Sequence, residues 1–229
     1  MQMSPRFSLN VRLWAVLTAL SVLMLQDLLS SNVSIGRLLF PHDMLFSEMV
    51  LNQIWNAVKL AVFIPSALSW FLDKRVMLRR SMILGNALLT TELFVSTILL
   101  VLHLSAVTSA EGSLLIRDTT LVILINLLIF SLWYWIIDQP SIKKDGQGRH
   151  EAWDFLFPQR ASSIPGYEDW APRYIDYLFL AFTTTFTFGP ADTLPLSGRA
   201  KVLMILQSAI SVVNIVVLAG YSLNLLNRN

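Results

Sequence analysis

From Val202 to Leu226 the chain carries no charged residue. A helix that crosses a bilayer needs about 20 predominantly apolar residues, and this run meets that requirement outright. Two further segments read the same way. Leu121–Ile137 is charge-free and reaches spanning length once the turn holding Arg117 and Asp118 is included, and Met82–Ala106 qualifies despite Glu92 and His103. The whole composition follows these segments: 55% of the 229 residues are hydrophobic and only 14% are charged, with a mean hydropathy of +0.59. The length is that of one domain, and the apolar excess places that domain in a membrane.

Two N-terminal segments are weaker. Leu13–Leu25 is apolar but short, and ends at Gln26 and Asp27. Arg6 and Arg12 ahead of it give it the look of a signal peptide, yet no small-residue cleavage motif follows, so a retained signal anchor is expected. Val50–Leu72 contains Asn52, Gln53, Asn56 and Lys59, with Pro65 in its second half. It reads as a polar-faced spanning helix packed inside a bundle, the alternative being an amphipathic helix lying on the surface. Trp133, Tyr134 and Trp135 close one span just before Asp138, where amphipathic rings favour the headgroup level. Residues 138–173 are polar but hold Trp153, Phe155, Phe157, Tyr167 and Trp170, which suggests an ordered loop on the interface.

Several classes of chemistry are excluded. With no cysteine there is no disulfide, thiolate metal site or cysteine nucleophile. The three histidines lack metal-ligand spacing, and no Gly-x-Ser-x-Gly, His-Glu-x-x-His or Gly-x-x-x-x-Gly-Lys motif occurs. The chain is therefore expected to be no enzyme, with no cofactor and no resident metal. A net charge of +2 gives no argument for nucleic acid, and no inverted repeat suggests a transporter.

The segment from Phe182 to Pro195 has a different character. Tyr174–Phe182 offers about 9 residues of helix, too few to span. Gly189 and Pro190 break any continuation, and Pro195 delays the next helix. Irregular backbone at membrane depth is tolerated only where protein buries it or where it lines a water-filled cavity. The spacing thus predicts a half-helix that dips in and returns as extended chain. Thr183, Thr184, Thr185 and Thr187 would supply hydroxyls and the extended part carbonyls, both oxygen ligands suited to monovalent cations.

Thr187-Phe188-Gly189-Pro190-Ala191-Asp192, followed by Thr193-Leu194-Pro195, resembles the potassium-channel filter pattern Thr-Val-Gly-Tyr-Gly-Asp-x-x-Pro. Leu121–Ile137 then looks like that family's outer helix, and the long apolar run after Gly198-Arg199 like its inner helix. The chain also resembles a group of uncharacterised bacterial membrane proteins through Leu132-Trp-Tyr-Trp135, Asp154-Phe-Leu-Phe-Pro158 and Ala181-Phe-Thr183. The resemblance implies a filter-like turn at Thr185, Thr187, Phe188, Gly189, Pro190, Ala191 and Asp192, with a transient monovalent cation at Thr187 and Gly189. Three positions depart from the family. Phe188 replaces a β-branched residue, Pro190 the bracing aromatic, and Ala191 the second glycine. Positive-φ carbonyl ladders need glycine, and Pro190 fixes φ, removes an amide and restricts Gly189. The expected constriction is wide, partly hydrated and weakly selective.

Polar residues in the spans carry further expectations. Gln207, Ser211, Asn214 and Tyr221 recur at helical spacings. They line either a central pore or an interhelical hydrogen-bond seam; Gln207, Ser211 and Asn214 are the pore-lining candidates. Glu92 is an intramembrane carboxylate with Lys59 or His103 as partner, in a structural pair or a relay. Arg117 and Asp118 read as a solvated or interfacial pair at a helix start, and Asp192 as a cation-concentrating ring or a turn cap.

The three strong helices place residues 73–80, 138–173 and 199–201 on one face. That face holds Lys74, Arg75, Arg79, Arg80, Lys143, Lys144, Arg149, Arg160, Arg173, Arg199 and Lys201, against Arg117 and Arg228 opposite. The positive-inside rule makes the richer face cytoplasmic, whereas potassium channels carry their pore loop on the other side. The expectation follows the charge count.

Together these readings predict an all-α polytopic protein of the plasma (inner) membrane, with about five transmembrane helices plus one re-entrant pore helix and loop. Residues 1–112 form N-terminal membrane helices. Residues 113–229 form a pore-like module: outer helix 117–137, interfacial loop 138–173, pore helix and filter-like loop 174–195, inner helix 200–226. One loop per chain cannot encircle an ion, so a symmetric tetramer passing monovalent cations is expected. The alternative is a non-conducting scaffold or regulatory subunit that keeps the same fold.

Overall fold

The computed structural model describes residues 9–29, 45–71, 75–104, 112–138, 141–145, 148–161, 164–168, 170–190 and 192–226. In chain order these form α1 (Leu9–Asp27), α2 (Leu45–Phe71), α3 (Arg75–Leu104), α4 (Gly112–Ile137), β1 (Ser141–Asp145), β2 (Gly148–Ala152), β3 (Phe155–Leu156), α5 (Pro158–Ala161), α6 (Tyr174–Thr187), β4 (Leu194–Pro195) and α7 (Gly198–Leu226). The protein is mostly helical. Arg79–Leu102, Ser113–Ile137 and Gly198–Leu223 are long and apolar enough to cross a bilayer. The apolar parts of α1 and α2, Val16–Asp27 and Val50–Ile64, are shorter.

Helix α4 is the centre. Most of its residues are apolar and most are buried, with Ser113, Arg117, Thr120 and Leu124 left exposed along one line. Val122, Ile125, Ile129, Phe130, Leu132 and Tyr134 are all buried. Cross-helix contacts fix the neighbours' directions. Asn126 meets Ser211 and Tyr134 meets Gln207, so α7 runs antiparallel to α4. Thr97 meets Asn214 and Leu100 meets Tyr221, so α3 runs parallel to α7. Trp55 and Lys59 meet Glu92 while Phe63 lies against Gly85, so α2 runs antiparallel to α3. The last contact is close: a Cβ on Gly85 would come within 2.8 Å of the Phe63 ring. A side chain at position 85 would have to push that ring aside.

The start of α7 and the end of α4 share one end of the bundle, called here the hairpin end. β1 and β2 pair there as an antiparallel hairpin, and β3 pairs with β4, Phe155 opposite Pro195 and Leu156 opposite Leu194. Aromatic packing fastens this segment to the helices. Phe155 meets Tyr134 edge-on at 5.1 Å, Phe157 meets Tyr177 at 5.6 Å, and the Arg160 guanidinium sits 3.8 Å over the Trp153 ring.

The fold departs from expectation in three places. Short strands interrupt the all-α reading, because the connection after α4 must satisfy its own backbone and does so by pairing. α4 begins at Gly112 and α7 at Gly198, ahead of the expected outer and inner helices. Arg117 and Asp118 therefore lie inside α4. Asp118 is buried, held 2.9 Å from the Arg117 guanidinium, which also donates to Leu28 O at 3.3 Å.

Candidate functional site

Helix α6 is built to start at the hairpin end. Arg173 is its extended N-cap residue, and the Arg173 amide donates to Asp176 Oδ2 at 2.6 Å. An acidic residue in the first turn also faces the helix's positive end. One turn in, Tyr177 Oη donates to Asp138 Oδ2 at 2.7 Å. The other oxygen of Asp138 accepts the amides of Asp154 (2.9 Å) and Phe155 (3.2 Å). One fully buried carboxylate thus joins the end of α4, β3 and the first turn of α6. Asp154 in turn accepts from Ser197 Oγ and from Arg199 Nε at 2.6 Å, which pins the start of α7 to the same place.

The far half of α6 lies deep. Gln207 Nε2 donates to Ala181 O and to Thr185 Oγ1, both at 2.9 Å, while Tyr134 Oη donates to Gln207 Oε1. Gln207 sits about 13 Å along α7 from Gly198 at 1.5 Å per residue. With 14 residues, α6 is too short to cross a bilayer. The chain turns at Phe188 and is back at the hairpin end by Leu194, where β4 pairs with β3. Helix in and irregular chain out share one end of the bundle.

The turn differs from expectation. Thr183, Thr184 and Thr185 are helical, not extended; Thr183 and Thr184 donate to Leu180 O at 3.0 and 2.8 Å, and Thr185 to Ala181 O at 2.9 Å. Their hydroxyls are thereby satisfied within the helix, which runs on to Thr187. Thr185 is buried against α7, so it belongs to the bundle interior and not to a surface turn. The stop comes at Phe188, left-handed at φ 59 and ψ 26. Gly189 has no positive φ, so the left-handed position expected of a filter glycine falls on Phe188 instead. Thr187 Oγ1 lies 2.7 Å from Thr183 O and 3.0 Å from Gly189 O, sharing its one proton between helix end and turn. Thr187, Phe188, Pro190 and Asp192 are exposed, Gly189 is half-buried, and Ala191 lies outside the described residues. Thr193 Oγ1 donates to Asp192 Oδ1 at 3.2 Å, leaving the carboxylate on the surface. The helix C-terminus, with its partial negative charge, points at this exposed turn.

The polar stripe of α7 turns inward. Gln207, Ser211 and Asn214 are 0% exposed and Tyr221 is 1%. Ser211 Oγ accepts from Asn126 Nδ2 at 2.8 Å, Asn214 Nδ2 donates to Thr97 Oγ1 at 3.2 Å, and Tyr221 Oη donates to Leu100 O at 2.9 Å. The geometry is a seam inside the chain's own helix bundle, not an exposed polar face. The exposed face of α7 is apolar instead: Val202, Ile205, Ala209, Val212 and Val216. Sequence reasoning did not single out Asn126, Thr97 or Tyr134 as partners. Asn126 had a signal, an amide in a charge-free span.

A second polar cluster stands apart. Lys59 Nζ lies 2.9 Å from Glu92 Oε2 and 3.4 Å from Gln26 Oε1, and Trp55 Nε1 donates to Glu92 Oε2 at 3.0 Å. Of the two partners expected for Glu92, Lys59 is in contact, while the His103 side chain lies outside the described residues. Comparison with protein-family models, with curated proteins and with solved structures finds no match to this chain.

Proposed function

We propose that this chain is one protomer of a symmetric membrane oligomer, expected as a tetramer, that passes monovalent cations where the α6 turns converge. The observation carrying this reading is the path of α6: a helix too short to span, followed by chain that returns to the same end of the bundle. The turn is exposed, as are Phe182 and Phe186 on the last turns of α6, so this face is available to meet symmetry mates. The helix C-terminus and the Asp192 carboxylate both favour a cation there. Thr187 and the Gly189 carbonyl supply oxygen ligands. With Phe188 left-handed and Pro190 next in line, the constriction is wide and hydrated, with weak selectivity among monovalent cations. The basic segments 73–80 and 138–173 favour a cytoplasmic hairpin end, with the protein in the plasma (inner) membrane.

A second reading is a non-conducting scaffold or regulatory subunit on the same fold. The inward turn of Gln207, Ser211 and Asn214 favours it, since it leaves α7 with an apolar outer face. Cation flux into vesicles containing purified protein separates the two. The channel reading expects a leak well above that of empty vesicles, lowered at least tenfold by Thr187→Val. Flux indistinguishable from empty vesicles leaves the scaffold.

A further inference from the structure

Asn86 on α3, Asn126 on α4 and Asn214 on α7 are 2%, 0% and 0% exposed. Each amide nitrogen has a partner: Asn86 donates to Ile129 O at 3.2 Å, Asn126 to Ser211 Oγ at 2.8 Å, and Asn214 to Ile210 O at 2.8 Å. These partners fix which way each amide points. The Ile129 and Ile210 carbonyls can only accept. Ser211 commits its own proton to Gln207 O at 2.9 Å, so it too accepts from Asn126. Flipping Asn86 or Asn214 would set oxygen against a carbonyl, and flipping Asn126 would draw the Ser211 proton away from Gln207 O. The oxygens are therefore assigned by chemistry, and all three Oδ1 atoms are buried with no donor among the described residues.

The three amides also form a series. Ile129, which meets Asn86, lies three residues beyond Asn126 toward the hairpin end of α4. Asn214 lies three residues beyond Ser211, which meets Asn126, toward the opposite end. Successive levels are therefore about 4.5 Å apart along the bundle. Three like acceptors thus step through the interior of the spanning helices α3, α4 and α7. A buried amide oxygen without a donor is rare in native interiors, and three in sequence ask for a common donor.

We infer that Asn86, Asn126 and Asn214 bind a file of internal water molecules inside each protomer, separate from the α6 turn. Water supplies the missing donors, and one molecule donating two hydrogen bonds of about 2.8 Å spans a step of about 4.5 Å between acceptors. A dehydrated cation fits less well, because it needs several oxygens converging on one point, and these are spread along a line. The inference does not rest on ion passage and stands whether or not the protein conducts.

X-ray radiolytic labelling read by mass spectrometry tests it, since hydroxyl radicals formed from bound water modify buried neighbours. In protein reconstituted in lipid, Ile129 and Ile210 are expected to label at least tenfold faster than Val22, which is buried on α1. Asn126→Leu should return both to the Val22 rate. Labelling of Ile129 and Ile210 no faster than Val22 in the unmodified protein overturns the inference, and this result needs no variant to fold. Fast labelling that persists in folded Asn126→Leu and Asn214→Leu also overturns it, because the water would then be held by something else.

Discussion

Gln207 Nε2 and Thr185 Oγ1 are 2.9 Å apart, and that bond ties the deep half of α6 to the last spanning helix. Gln207 also reaches Ala181 O and the Tyr134 hydroxyl, so one amide holds three helices. Removing it takes the acceptor from the buried Tyr134 hydroxyl, while Thr185 and Ala181 O keep the bond between them. Gln207→Leu is expected to cost about 1–3 kcal/mol, the range for leaving buried polar groups unpaired. Thermal unfolding in detergent measures the loss. In a double-mutant cycle with Thr185→Val, a coupling of about 0.5 kcal/mol or more is expected for residues in contact.

Asp138 holds the other end of α6. Its carboxylate satisfies two backbone amides of the β3 segment and the Tyr177 hydroxyl. Asp138→Ala frees three buried donors and should destabilise by about 3 kcal/mol or more. Asp138→Asn keeps the shape and part of the accepting capacity, and should fall between. Limited proteolysis should find residues 153–161 cut sooner in the alanine variant, because β3 and β4 lose their anchor.

The Lys59–Glu92 pair makes a sign prediction. Both groups are largely withdrawn from solvent, with side chains 3% and 13% exposed. Breaking a buried pair by one substitution leaves an uncompensated charge, worth about 3–5 kcal/mol. Lys59→Met and Glu92→Met alone should each cost that much. The double variant should recover most of it, since apolar residues of similar volume replace such pairs at little cost. Thermal melts of the four proteins supply the comparison, and a double variant as unstable as the sum of the singles would contradict it.

Phe188 is the one non-glycine residue with positive φ among the described residues. Its side chain is half exposed, so it contributes little burial to offset the strain. Phe188→Gly should therefore stabilise the protein by about 1 kcal/mol, the cost of a left-handed residue bearing a Cβ. A lower unfolding temperature in this variant would show that the ring is packed in the assembled protein.

Part of this architecture was legible in the amino acids. Charge-free runs fix α4 and α7 because only a helix satisfies its own backbone in hydrocarbon. Gly189-Pro190 announced the end of α6, since neither residue continues a helix. The extension of α6 beyond Phe182 was not legible: Thr183, Thr184 and Thr185 satisfy their hydroxyls on carbonyls a turn earlier and remain helical. The direction of the Gln207–Ser211–Asn214 stripe was not legible either. Periodicity assigns residues to one face but does not say what lies against it; Asn126 and Thr97, far off in sequence, decide that. The β1–β2 hairpin was hidden by Lys143 and Lys144, whose charge signals loop more strongly than strand.

The reading of function stands on the α6 turns meeting around an axis. The most direct test is a reconstruction of the assembled protein in a lipid nanodisc, measuring the distance from each Gly189 to its symmetry mates. The account predicts a closed ring in which the four Gly189 residues face one another across a gap that a hydrated monovalent cation fills. A single protomer, or a ring with its Gly189 residues turned outward to lipid, would contradict it.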